Sequence, residues 1–317
     1  MTFEDVEKAR VALYVKRQGI INKALAIGGV FIGIFILAML PRFGSSHTSI
    51  LFMLPFLLFP VIFTIAITAI ILAFGTRQEA AAYKNAYKTY FVAAGLSRVF
   101  SNLAYHQDLG IHQKAVAEVM TTADRYSSND YMTGTYKNIN FAQADVHIEE
   151  KHESRDSDGH THTTYVTIFR GRFLIFDFKR NFDFNLQVST RRFYGERPPK
   201  SNGLKFRRIE TESNEFNQSF NIYAQNGTDA LYILDPAFME KIQNLYTSCG
   251  KEFLLTFMNK KLYIAINDNN DSFEPPVNCK NALDEKAEIA KVEKDTKLIT
   301  NFVDSLKLDR YYKGESK

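Results

Sequence analysis

Apolar positions recur along this chain in three different rhythms. From Ala24 to Leu40 and from Ile50 to Phe74 they are almost continuous, and neither run contains a charged side chain. Ile20 and Ile21 extend the first run backwards past Lys23. At about 1.5 Å rise per residue, spans of 20–40 and 50–74 each cover the roughly 30 Å hydrocarbon core of a bilayer. Pro55 and Pro60 disturb the first turns of the second span, a fault that membrane helices tolerate. A cleaved signal peptide would start its apolar stretch nearer Met1 and end in a small-residue cleavage site, whereas here Pro41, Arg42 and Phe43 follow. The pattern predicts a two-helix membrane hairpin over residues 1–76.

The second rhythm has spacings of three and four. Tyr83, Tyr87, Tyr90, Phe91 and Ala94 predict an amphipathic helix whose apolar character continues through Val99, Phe100 and Leu103, with Gly95 as a weak point. A shorter helix is expected over 113–123 on Ala115, Val116, Val119 and Met120. Residues 77–132 are therefore read as a helical segment, its aromatic stripe serving as core packing.

The third rhythm approaches two. Strands are predicted at 135–150, 163–178, 184–194, 204–211, 219–225, 229–234, 252–258 and 261–267. In the second of these, Phe173, Ile175 and Asp177 point one way and Arg172, Leu174, Phe176 and Phe178 the other. Asn226-Gly227 and Asn259-Lys260 read as hairpin turns. Asp235-Pro236 reads as an N-cap with proline at the first helical position, opening a helix that closes near Gly250. A last amphipathic helix is expected over about 282–308, with Ile289, Val292, Ile299, Val303 and Leu306 inward and Thr296 filling the gap. Short turns between strands imply a mainly antiparallel sheet. The fold class is α+β, the hairpin leading into a domain over 133–317.

Charge then orients the hairpin. The formal net charge is only +4, and residues 1–76 supply most of it. Lys16, Arg17 and Lys23 precede the first span and Arg77 follows the second, while the connecting loop 41–49 holds Arg42 alone. The positive-inside bias places both termini in the cytoplasm of an inner membrane. The same cations are candidates for lipid headgroup contact. Gly29 and Gly33 form a GxxxG that would admit another helix, either the second span or a second copy in a homo-oligomer. The nearly neutral remainder excludes a nucleic-acid footprint.

Candidate chemistry is confined to one stretch. His147, His152, His160 and His162 lie among Glu149, Glu150, Glu153, Asp156 and Asp158, a ligand set suited to zinc, with His152, His160 and His162 the candidate metal residues. HExxH is absent, and Asp156-Ser157-Asp158-Gly159 does not complete a calcium loop. Residues 149–163 look like a polar hairpin loop in which these histidines and acids are simply solvated. No phosphate-cradling glycine loop and no nucleophile elbow occur, and Cys249 at a helix end gains nothing from the dipole. No catalytic residue and no cofactor are assigned.

The run Phe169-Arg170-Gly171-Arg172-Phe173-Leu174-Ile175-Phe176-Asp177-Phe178-Lys179 resembles a known family. So do Glu215-Phe216-Asn217 through Phe220-Asn221-Ile222-Tyr223-Ala224, and Ala230-Leu231-Tyr232-Ile233-Leu234-Asp235-Pro236-Ala237-Phe238-Met239. That family comprises bacterial membrane proteins sharing domain of unknown function 3137. The resemblance covers most of 80–270 and implies a membrane hairpin before a cytoplasmic α+β domain, but no activity and no catalytic residue. The expected function is a membrane-tethered cytoplasmic binding or scaffold protein, with the bilayer and a protein at its cytoplasmic face as partners. The alternatives are a metal-binding domain (sensor or metal-assisted hydrolase) using the His147–His162 stretch, and an accessory subunit of a membrane transporter.

Overall fold

The computed structural model describes residues 1–43, 50–194 and 206–308, without the side chains of 39–57, 178–184, 194, 229 and 232. Most of the loop expected between the spans therefore lies outside the described residues. The chain divides into two compact units: Met1–Phe91 with Glu274–Glu288, and Val92–Phe273 with Ile289–Lys317.

The first unit contains α1 (Phe3–Phe43), α2 (Ile50–Gly75) and α3 (Arg77–Tyr87), the last followed by a π-helical turn at Lys88–Val92. The basic stretch before the first apolar run is continuous with it in one helix. It is the beginning of α1, one helix about 60 Å long at 1.5 Å per residue. Its first half is built as a water-soluble helix is, burying Val6 and Leu13. Arg10 pairs with Glu7 at 2.7 Å and also donates to the Cys279 carbonyl. The Leu283 amide donates to Glu7 at 3.0 Å. The aromatic stripe of α3 is core, as expected: Tyr83, Tyr87 and Phe91 are buried, and Phe3 meets Phe91 edge-on at 6.0 Å.

The second unit begins with α4 (Ala93–Ser97), β1 (Ser101–His106) and α5 (Gln113–Ala117). There follow β2 (Arg125–Tyr136), β3 (Ile139–Arg155), β4 (Thr161–Thr190) and α6 (Arg191–Tyr194). Beyond them come β5 (Arg207–Ile209), α7 (Asn214–Ser219), β6 (Phe220–Ala224), α8 (Gly227–Ile233), α9 (Pro236–Cys249) and β7 (Glu252–Asn267). The closing helix α10 (Glu285–Leu306) belongs to this unit from Ile289 onward.

Among the described residues the seven strands form one antiparallel sheet, ordered β1-β2-β3-β4-β6-β5, with β7 on the other side of β4. The α+β class is as the sequence predicts. Strand β4 is the spine. Its first half lies between β3 and β7, and its second half between β6 and β7. Gly171 makes that central packing possible, since a Cβ there would sit 2.0 Å from the Ile266 carbonyl oxygen.

Each face of the sheet has its own cover. On one, Ala144, Val146, Phe169, Phe173 and Tyr263 pack with Val116, Val119 and Met120 from α5 and the turn after it. On the other, Phe302 of α10 meets Phe253 edge-on at 5.5 Å, and Arg172 donates to the Asp295 carbonyl at 2.5 Å. All six expected inward positions of α10 are buried. Gly95 is the point at which α10 comes close, since a Cβ there would lie 2.6 Å from Val292 Cγ1, so its small size serves packing rather than loosening the helix.

Four local expectations are corrected. The helix after Ala94 ends at Ser97, and β1 occupies the positions read as its continuation. The strand expected at 135–150 is two strands, β2 and β3, turned by Lys137 and Asn138 at positive φ of 48° and 65°. Asn226-Gly227 starts a helix, because the Asn226 side chain accepts from the Thr228 amide at 3.1 Å and caps α8. Asn259 does not turn a hairpin either. Its φ of 56° is absorbed as an irregularity inside one continuous β7, opposite a matching register shift in β4.

Candidate functional site

Three features of the two units bear on function, and the sequence pointed to two of them. The first is the helix pair α1–α2. Only 6% of the residues in the most apolar window of each helix are buried. Leu25, Ile27, Ile65 and Phe74 present 70%, 71%, 64% and 75% of their surface outward. The helices meet at Gly28, where a Cβ would lie 2.4 Å from Thr64 Cγ2. Among the described residues, Gly29 and Gly33 have no neighbour within 4 Å. Of the four flanking cations, Lys16 pairs with Glu79 at 2.9 Å and Arg17 donates to the Val277 carbonyl at 3.2 Å. Lys23 and Arg77 are exposed. In the same unit Glu274 takes Lys84 at 2.6 Å and the fully buried Lys88 at 2.7 Å. Burial pushes the Glu274 carboxyl up, yet hydrogen bonds from these two ammonium groups more than offset it and hold it below its ordinary range.

The second feature is a polar seam inside the sheet domain that sequence reasoning missed. Asp145 of β3 lies opposite Arg172 of β4, on the face covered by α10. Both side chains are buried. One Asp145 oxygen accepts from the Ser272 amide; the other is buried without a hydrogen-bond partner. Burial, with some repulsion from Asp130 and Asp271, raises the Asp145 pKa to about 7 despite the Ser272 amide and Arg172. Arg172 Nε lies 3.6 Å from Asp268. Nothing in a period-two pattern separates Asp145 from a solvated strand residue; only the register with Arg172 does. The opposite face of the sheet carries α5 and Phe193 of α6. A depression of about 590 Å³ is lined there by Tyr131, Thr133, Asn140, Ile175, Asp177 and Lys261, among others.

The third feature is the histidine-rich stretch, which is not a loose loop. β3 and β4 continue as a paired ribbon to Arg155 and Thr161, closed by a tight turn. His152 lies opposite Thr164 and His162 opposite Ser154. His162 Nε2 is 3.1 Å from Asp156 Oδ2, and His152 Nε2 is 3.7 Å from Glu150 Oε2. His160 stands in the turn, its amide donating to Asp156 Oδ1 at 2.8 Å. His147 is farther down the ribbon against Thr167 Oγ1 at 2.9 Å. Cys249, at the end of α9, has its thiol pKa raised by burial, the opposite of what a nucleophile needs.

No curated protein matches the chain. Among solved structures, the mycobacterial trehalose monomycolate transport factor A, TtfA, aligns with a TM-score of 0.37 at 10% identity, over 69% of this chain and 96% of that one. That likeness is too slight to carry an argument. The family model described as "Protein of unknown function (DUF3137)" matches residues 167–308. The match starts in β4 rather than near residue 80, and it takes in all three runs on which the resemblance rested. The part of the chain over residues 167–308 thus carries a domain similar to the domain of unknown function 3137.

Proposed function

We propose that this protein is a membrane-tethered binding or scaffold module. In this reading α1 and α2 cross the inner membrane with a short external loop, and the sheet domain works in the cytoplasm. One observation carries the tether: two long helices keep large aliphatic and aromatic side chains outward, while the sheet domain buries its own. A water-exposed Leu or Phe forfeits about 1.5–3 kcal/mol relative to burial, so a run of them is stable only against lipid. The flanking Lys23 and Arg77 support the orientation. Tethering confines the domain to one membrane face and raises its effective concentration for a partner there.

The test has two arms. Single cysteines at residue 46 and at Lys261 are labelled in intact cells with a membrane-impermeant maleimide, with labelling at 46 alone as the expected result. A photo-crosslinker at Asn140, in the depression of the sheet, is then irradiated in native membranes. Capture of one protein or lipid species is expected. Labelling at Lys261 would refute the orientation, and an empty crosslinking experiment would refute the binding role.

A further inference from the structure

We propose that four arginines at the β5 edge of the sheet, Arg191, Arg192, Arg207 and Arg208, form a docking surface for the headgroups of an anionic bilayer. The surface presupposes the tether proposed above, which keeps a bilayer within reach.

Topology gathers the four from two stretches of chain. β5 ends the strand order and is bonded to β6 alone, so it is an edge strand. α6 leaves β4 directly after Thr190, which pairs with Phe220 at the start of β6. Both arginine pairs therefore adjoin β6. Neighbouring residues on a strand point to opposite faces, and on an inner strand the sheet would separate Arg207 from Arg208. At a rim both long side chains reach past it. Arg208 lies opposite Tyr223. Burial raises the Tyr223 pKa, and Arg208 and Arg191 both pull it back, so the two guanidinium groups stand near one phenol.

All four arginines are exposed. Among the described residues none of them forms an ion pair, whereas Arg98, Lys137 and Lys151 hold carboxylates at 2.9, 2.7 and 2.5 Å. Arg191 is positioned by a neutral acceptor instead. Its Nε and Nη2 donate to the Asn217 carbonyl at 3.3 and 3.0 Å, which fixes the guanidinium and leaves its charge uncompensated. Charged residues on an edge strand also ward off strand addition, but that role needs Arg207 and Arg208 only and not the pair on α6.

The planar fork of a guanidinium takes phosphate oxygens in pairs. An open rim with arginines on both faces suits a flat field of headgroups rather than a single enclosed anion. Nucleic acid is disfavoured because the chain beyond the helix pair is nearly neutral.

Vesicle sedimentation tests the surface. The full chain in phosphatidylcholine nanodiscs is mixed with sucrose-loaded vesicles of phosphatidylcholine, with or without about 30% phosphatidylglycerol. Incorporation into the discs reports the tether and sedimentation reports the arginines, so the two failures are distinct. Discs should sediment with the phosphatidylglycerol vesicles alone, and high salt should release them. Each arginine removed should weaken binding about fivefold, so Arg191→Ser/Arg208→Ser and Arg192→Ser/Arg207→Ser should each cost about 25-fold. Lys260→Ser removes an exposed charge in the middle of β7 and should change nothing. All the substituted side chains are exposed, and unchanged far-UV circular dichroism certifies the fold. The surface is refuted if both vesicle types sediment the discs equally, or if both arginine variants bind like the parent. It is refuted as well if Lys260→Ser weakens binding as much, if inorganic phosphate displaces the vesicles where chloride of equal ionic strength does not, or if a short RNA binds the arginines more tightly.

Discussion

The helix pair and the sheet domain are both rich in large apolar side chains, and they dispose of them in opposite ways. In α1 and α2, Leu25 and Ile65 point outward with most of their surface uncovered; in the sheet, Phe173, Leu174 and Ile264 are fully buried. On the membrane reading proposed above, the same residue types meet two solvents. Where water is outside, burial against protein provides the driving force. Where lipid is outside, nothing is gained by turning a leucine inward, and helix contact depends on close approach at small residues. Substitutions that are costly on one side of this divide should be nearly silent on the other.

Phe302 provides the largest contrast. It fills the space between α10 and Phe253, so Phe302→Ala removes a buried ring and leaves a cavity. The expected loss is about 4 kcal/mol, read as a lowered denaturation midpoint of the detergent-solubilised chain. Ile65→Ala deletes an outward side chain and should barely move that midpoint. The comparison fails if the two losses are similar.

A charge reverses the ranking. Ile65→Arg places a guanidinium in the middle of α2, at an apparent insertion cost of about 3 kcal/mol. The fraction of chains recovered in carbonate-washed membranes should fall accordingly. Insertion unaffected by this change would remove the membrane span.

The two regions were also unequally legible. The spans show in the sequence because lipid demands only length and purity. The limits of α9 show as well, because Asp235 and Gly250 act locally: the Asp235 carboxylate accepts from the Phe238 amide at 2.7 Å, and Gly250 takes a left-handed φ of 58°. What stayed hidden depends on partners distant in sequence. Asn226-Gly227 serves a hairpin or a helix cap equally well, and Ala230 and Leu234 are buried at a spacing of four only because the core lies on that side. The opposition of Asp145 and Arg172 requires a strand register that no local pattern contains. For the ribbon, the sequence supplied the histidines and carboxylates, but only strand pairing sets His152 opposite Thr164 and His162 opposite Ser154.

Asp145 turns that hidden contact into a pH dependence. Its pKa is raised from 3.8 to about 7 in the folded chain. Between those values the folded state keeps a proton that the unfolded state has released, so stability falls as pH rises through the window and is lowest above it. Asp145→Asn should abolish that slope and stabilise the chain above pH 8 by about 2 kcal/mol, a converted shift reduced by the new unpaired amide. Thermal unfolding from pH 4 to 9 measures it. A variant less stable than the parent at pH 8.5 would mean that Arg172 needs the charge opposite it.

The smallest expected effect separates neighbouring glycines on α1. At Gly28 a methyl group would meet Thr64 Cγ2 at 2.4 Å, and Thr64 cannot easily turn away because its hydroxyl donates to the Pro60 carbonyl at 2.7 Å. Gly28→Ala should therefore cost about 1 kcal/mol through overpacking and push α1 and α2 apart. Gly29→Ala adds the same methyl into open space and should cost nothing between the spans. Disulfide formation between cysteines at 31 and 63, facing positions whose rings lie 6.3 Å apart, gives the readout. It should slow in the first variant and persist in the second. The same pair tests self-association. If Gly29→Leu or Gly33→Leu lowers the mass of the detergent-solubilised particle while the intrachain disulfide still forms, the outward glycines meet a second copy. If neither quantity changes, that face of α1 meets only lipid.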